Sequence, residues 1–111
     1  MKTSNDMNEV VSRLQAGRKR NQDMWQKEGK RDGANWARHA NYADLKEWAG
    51  RADCLLHHDL IWDTFQFPDD LEDDINELGS GKRGPAFDYA SYAEGWLNGV
   101  LNFWLEVEPL L

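Results

Sequence analysis

Residues 94–106 read EGWLNGVLNFWLE, and the spacing within this stretch decides the fold. Cut into fours it gives EGWL, NGVL and NFWL, and residues four apart on an α-helix share a face. The only polar column consists of Glu94, Asn98, Asn102 and Glu106. Because the other three columns are apolar or glycine, the segment predicts a helix that is covered on nearly every side.

Helical spacing recurs near the N-terminus. Met7, Val10, Val11 and Leu14 fall at positions i, i+3, i+4 and i+7, which is one face of a helix. The stretch GRKRNQD begins at Gly17 and has no apolar residue, so it predicts a solvated last turn or a break. Residues 1–20 would then form a separate N-terminal helical arm within a single domain of residues 1–111.

Two helices are predicted in the middle of the chain. Asn41, with Asp44 three residues later, forms a weak capping box, and apolar residues then recur at helical spacing as far as Trp62. This helix must stop before Pro68, because the residue preceding a proline disfavours helical angles. A short amphipathic helix fits DDLEDDINELG, residues 69–79.

The last helix carries a signal at each end. Asp88 is the expected cap, with Phe87 and Tyr92 in position to form a hydrophobic staple across it. The helix should end by Glu108, since Pro109 cannot continue it. Strand-like alternation is lacking, so we expect an all-α fold, a small bundle of about five helices with a nearly all-apolar C-terminal helix.

Two glycine pairs echo each other along the chain, in EGKRDG (residues 28–33) and in EGWLNG (residues 94–99). Glycine inside a helix costs about 1 kcal/mol relative to alanine, so each pair needs a physical reason. One reason is a close helix crossing, of the kind best attested in membranes, with small residues on both sides. The facing residues would be Gly29, Gly33 and Ala37 on one helix and Gly95 and Gly99 on the other. For residues 28–33 a polar loop with turn glycines is the open alternative.

Composition limits the class of protein. The chain has 111 residues, a formal net charge of −7 and six tryptophans, which is typical of one folded acidic domain. Cys54 is the sole cysteine, so no intramolecular disulfide can form. The sequence shows neither the apolar core of a signal peptide nor a membrane-length apolar run. We therefore expect a cytoplasmic protein with no membrane contact.

The stretch CLLHHD, residues 54–59, is the most suggestive of chemistry. Its adjacent histidine and aspartate resemble the metal-binding dyad of HD-domain phosphohydrolases. The resemblance covers only LLHHDL. It would imply a metal-dependent hydrolase with His57, His58 and Asp59 as ligands and His39 as an upstream ligand. The alternative is structural, in which His57 or His58 pairs with a neighbouring carboxylate. No cofactor is expected.

Acidic residues concentrate between positions 63 and 77, namely Asp63, Asp69, Asp70, Glu72, Asp73, Asp74 and Glu77. Carboxylates spread over a helical surface can imitate a row of phosphates, although a short amphipathic helix also needs polar residues outward. The basic stretch GRKRNQ is better explained as a solvated face. With a net charge of −7, direct nucleic acid binding is not expected.

Three functions follow from these patterns. The first is a non-enzymatic helical interaction protein that forms a homodimer through its C-terminal helix, because that helix offers more apolar surface than short partners cover. The second is an acidic inhibitor or DNA mimic, for example one encoded by a mobile element, that occludes a partner with a basic surface. The third is the metal-dependent hydrolase. The expected interface consists of Trp96, Val100, Phe103, Trp104 and Val107.

Overall fold

The computed structural model describes residues 3–58, 66–71 and 86–111, and this part of the chain contains helices and no strand. The α-helices are α1 (Thr3–His39), α2 (Tyr42–His58) and α3 (Tyr89–Val107), with short 3-10 turns at Asp69–Leu71 and Glu108–Leu110. The all-α prediction is confirmed, with three α-helices in the described part instead of five. The predicted continuations of α2 to residue 62 and of the short helix beyond residue 71 lie outside the described residues.

The predicted break at Gly17 is wrong, because α1 runs without interruption for 37 residues. Arginine, lysine and glutamine are good helix formers, and their polar side chains suit a helix that is solvated on all sides. Lys19 adds an ion pair of 3.3 Å to Asp23, four residues on. Together with the residues on either side, these preferences outweigh the cost of one glycine.

The crossing of α1 and α3 rests on the two glycine pairs, so residues 28–33 are helix and the packing explanation is confirmed. At each glycine an added Cβ would first meet a carbonyl oxygen of the opposite backbone. The pairs are Gly29 with Tyr92, Gly33 with Trp96, Gly95 with Gln26 and Gly99 with Lys30. Side chains larger than hydrogen cannot enter such a crossing. Each glycine Cα–H also faces an acceptor for a weak hydrogen bond of about 0.5–1 kcal/mol.

The same contacts show that α1 and α3 run parallel and cross about a local two-fold axis. The glycines are offset by 66 positions (95 − 29), and the carbonyls that they meet are offset by the same number (92 − 26). Each helix therefore contributes the same four-residue pattern to the other. The echo between EGKRDG and EGWLNG is the sequence trace of this local symmetry.

The core gathers around Trp96, which the crossing places against both other helices. Its ring lies 5.2 Å from Trp36 of α1, 5.5 Å from Trp48 of α2 and 5.3 Å from Phe67. These centroid distances are typical of aromatic pairs that pack edge to face or tilted. Because Tyr42 lies beside Trp104 while Trp48 lies beside Trp96, α2 runs antiparallel to α3.

Local signals fix the start of each shorter helix as predicted. Asn41 Oδ1 accepts a hydrogen bond of 2.8 Å from the backbone N–H of Asp44, which begins α2. The Asp88 carboxylate accepts one of 3.0 Å from the N–H of Ser91, which begins α3. The Phe87 and Tyr92 rings meet across that cap at 5.6 Å, as a hydrophobic staple requires.

Polar contacts tie α3 to α1 at the entry of the crossing. The Ala86 carbonyl accepts hydrogen bonds from Asn21 Nδ2 at 2.7 Å and from Trp25 Nε1 at 3.1 Å. Farther along, the Tyr92 hydroxyl donates a hydrogen bond of 2.6 Å to the half-buried Asp32 carboxylate. The start of α3 is therefore anchored beside residues 21–25 of α1, and α1 extends beyond it toward its own N-terminus.

Candidate interaction surfaces

The residues predicted to form an interface on α3 divide into two groups. Trp96 and Val100 are 0% exposed, because α1, α2 and Phe67 cover them within one copy of the chain. Their surface is thus already used in the core. Phe103, Trp104 and Val107 lie nearer the end of α3 and are half-buried, so part of each faces outward.

An apolar patch forms at the end of α3, and we call it the C-terminal patch. Leu105, Leu110 and Leu111 are 58%, 83% and 79% exposed, and the half-buried Phe103, Trp104 and Val107 adjoin them in the chain. Tyr42 extends the patch onto α2, since its exposed ring lies 6.0 Å from that of Trp104. The sequence predicted that this segment is apolar, but not that its last third is the uncovered part.

The patch has charged residues at its edge. Lys46 places its Nζ 5.8 Å from the centre of the Tyr42 ring, on the α2 side. On the α3 side, Glu106 and Glu108 are exposed and lie between Leu105 and Leu110 in the chain. An apolar centre with charged residues around it is the usual composition of a protein interface.

A second apolar surface lies on the N-terminal part of α1. Met7 and Leu14 are 62% and 61% exposed, and Val10 and Val11 between them are also exposed. We call this surface the arm stripe, and Thr3–Arg20 the arm. The sequence placed these residues on one helix face. That the face carries no cover within the described chain is apparent only from the structure.

A cleft of about 1240 Å³ opens between α1, α2 and residues 66–71. Its lining includes the half-buried ring of Trp36 and the carboxylates of Asp44, Glu47, Asp69 and Asp70. This cleft could not be predicted from the sequence, because its walls come from three separate segments. Among the predicted acidic residues, only Asp69 and Asp70 lie in the described part, where both are exposed. The others, Asp63, Glu72, Asp73, Asp74 and Glu77, fall outside it.

Two arginines in the cleft already have partners. Arg51 lies 2.8 Å from the Glu47 carboxylate and stacks 4.8 Å from the centre of the Trp48 ring. Arg31 lies 2.5 Å from Glu28. Asp69 and Asp70 thus line the same cleft as two arginines that pair with Glu47 and Glu28.

Of the four residues predicted to bind a metal, the structure describes the side chains of His39 and His57. His39 Nδ1 lies 2.9 Å from the Asn35 carbonyl oxygen, to which it must donate. His57 Nδ1 pairs at 2.7 Å with Asp53, one turn earlier on the same exposed face. That pairing matches the structural alternative for His57. The side chain of His58 and all of Asp59 lie outside the described residues.

Among residues that the structure describes, no three histidine, cysteine, aspartate or glutamate side chains are grouped as a metal site requires. Cys54 is an exposed thiol on α2. Partial burial at the start of α3 raises the pKa of Tyr89 above its ordinary value, because the phenolate loses hydration there.

No described helix combines the length and the apolar character needed to cross a membrane. Comparison with protein-family models, with curated proteins and with solved structures gives no match.

Proposed function

We propose that this protein is a non-enzymatic helical interaction protein that self-associates through the C-terminal patch. The observation that carries the proposal is the exposure of Leu105, Leu110 and Leu111 beside aromatic side chains that are only half-buried. Exposed apolar side chains grouped at one end of a helix ordinarily mark an interaction site. Apolar burial contributes about 25 cal/mol per Å², so covering several leucines at once favours association.

Charge supports a second copy of the chain as the partner. A two-fold contact brings the same patch onto itself, so the α2 edge of one copy meets the α3 edge of the other. Lys46 would then approach Glu106 or Glu108 of the second copy around the apolar centre. Such charges at the edge of an interface fix its register more than its affinity.

Sedimentation equilibrium of the full chain tests this proposal. Wild-type protein should show a mass at or above twice 12.9 kDa at micromolar concentration. Leu105→Glu places a carboxylate at an exposed apolar position of the patch and should weaken association at least about tenfold. Asn102→Glu adds the same charge on the polar column of α3 and should leave association unchanged. A wild-type chain that stays near 12.9 kDa at all concentrations would overturn the proposal.

The acidic cleft favours a second candidate function, the binding of a protein with a basic surface. The observation that supports this function is the set of carboxylates around the half-buried Trp36. A lysine or arginine side chain of a partner could make both ionic and cation–π contacts there. An oligolysine peptide should bind, with affinity that falls as salt rises. Asp69→Asn combined with Asp70→Asn should weaken binding, whereas Asp6→Asn combined with Glu9→Gln, which removes equal charge from the arm, should not. Equal binding by both double variants would contradict this function.

A further inference from the structure

The arm stripe lies on the side of α1 that packs against α3 farther along the helix. Leu14 is followed at steps of three or four residues by Arg18, Asn21, Trp25 and Gly29. Asn21 and Trp25 donate hydrogen bonds to the Ala86 carbonyl, and Gly29 packs against the backbone of α3. The described part of α3 and its cap thus cover this side from residue 21 onward. Along the arm, no described residue covers the same side, and Met7 and Leu14 are 62% and 61% exposed.

The uncovered length suits another helix. The arm has 18 residues, which is about 27 Å at 1.5 Å per residue. Met7, Val10, Val11 and Leu14 give it an apolar centre about two turns long. In water an isolated helix of this length is marginal, and its stability normally comes from packing an apolar face. Among the described residues, the geometry therefore leaves a helix-sized site in line with α3.

We propose that the arms of two copies of this chain pair antiparallel, each filling the site on the other. The orientation follows from sterics. In a parallel pair, residues 21–33 of the second α1 would run into the space that α3 occupies at the glycine crossing. In an antiparallel pair each arm ends before the other copy's α3, and the two folded bodies stand at opposite ends.

Charge along the arm makes it complementary to itself in this orientation. Asp6 and Glu9 lie toward its N-terminal end, whereas Arg13, Arg18 and Arg20 lie toward its C-terminal end. Antiparallel pairing sets the acidic end of each arm beside the basic end of the other, and it also opposes the two helix dipoles. A parallel pair would place acid beside acid and arginine beside arginine. This complementarity within one segment selects a second copy as the occupant.

The arm contact is distinct from the C-terminal patch and holds or fails independently of it. A single pair of short helices buries less than the roughly 1,200 Å² of a standard interface, so the contact is weak and concentration-dependent. The arm lies at the N-terminal end of α1, and the C-terminal patch lies at the C-terminal end of α3. A chain that uses both contacts would therefore assemble into open-ended rows. A chain that uses one would stop at a dimer.

Sedimentation of full-length variants separates the two contacts. Leu105→Glu removes the patch, so any remaining dimer in that background belongs to the arms. Adding Leu14→Glu should then weaken association at least about tenfold, because each copy buries a carboxylate in the stripe. Adding Ser12→Glu, which places the same charge on the opposite side of the arm, should leave the dimer intact. A Leu105→Glu chain that remains monomeric at millimolar concentration would overturn the proposal, even if the wild type dimerises through the patch.

Orientation is tested by a distance between labels. A spin label on Arg20→Cys, in a chain with Leu105→Glu and Cys54→Ser, marks the base of each arm. Antiparallel arms separate the two labelled positions by about 25 Å along the pair, whereas parallel arms bring them within about 10–15 Å. A long distance that vanishes with Leu14→Glu supports antiparallel pairing. A short distance, or a long one that Leu14→Glu leaves unchanged, would overturn it.

Discussion

At the scale of single residues, replacing glycine should have opposite effects on stability at different positions in this chain. Gly29 and Gly95 leave no room for a methyl group, whereas a Cβ on Gly50 would have nothing within 4 Å. Glycine otherwise weakens a helix by about 0.5–1 kcal/mol relative to alanine, so the same substitution should have opposite signs at the two kinds of site.

We therefore expect Gly95→Ala to lower the free energy of unfolding by about 2 kcal/mol or more. Its Cβ would stand 2.8 Å from the carbonyl carbon of Gln26, so α1 and α3 must separate to admit it. Gly50→Ala, in the exposed face of α2, should instead raise that free energy by about 0.5–1 kcal/mol. Urea denaturation measures both. If Gly95→Ala were as stable as the wild type, the close crossing would be wrong.

The hydroxyl of Tyr92 gives a second prediction at this scale. Tyr92 is buried, and its hydroxyl donates to the half-buried carboxylate of Asp32. Removing it in Tyr92→Phe should lower the free energy of unfolding by about 1.5 kcal/mol, the low end for hydrogen bonds to charged groups. Tyr42→Phe removes a hydroxyl from an exposed ring and is the matched control, expected within about 0.5 kcal/mol of wild type. Equal effects of the two substitutions would contradict the assignment.

At the scale of elements, sequence predicted what depends on neighbours along the chain. Asn41 with Asp44, and Asp88 with its staple, are local signals, and the structure confirms both helix starts. The predicted break at Gly17 was wrong because the helix-forming residues around this glycine outweigh its cost to the helix. Whether a face is covered depends on distant segments. Sequence therefore identified the stripe and the apolar C-terminal helix without showing which parts remain open.

The continuity of α1 through residue 17 is directly testable. Because the helix is unbroken there, Gly17→Ala should stabilise the arm by about 0.5–1 kcal/mol. An added Cβ would meet only Arg20 Nη2, at 3.8 Å, which is an ordinary contact. Hydrogen exchange of the backbone amides in residues 7–16 should slow by about two- to fivefold in the variant, measured in the Leu105→Glu, Leu14→Glu background to exclude association. Unchanged exchange in residues 7–16 would contradict a helix that is continuous through Gly17.

At the scale of the whole molecule, one long helix serves two purposes. Its second half forms the crossing that buries Trp96, and its first half extends past the described start of α3. The molecule measures 66 × 28 × 24 Å, and its radius of gyration is 17.2 Å. A compact chain of this length would have a radius of about 13 Å. The radius of gyration is larger because the arm projects from the rest of the molecule.

Small-angle scattering can therefore test whether the arm projects from the rest of the chain in the monomer. In the monomeric Leu105→Glu, Leu14→Glu variant the radius of gyration should stay close to 17.2 Å, because no described part of the same copy covers the arm stripe. The same variant with Gly17→Ala should match it. A radius near 13 Å would mean that the arm folds back and that the chain covers its own stripe. In that case the stripe would belong to the core, and no second copy would be needed to explain it.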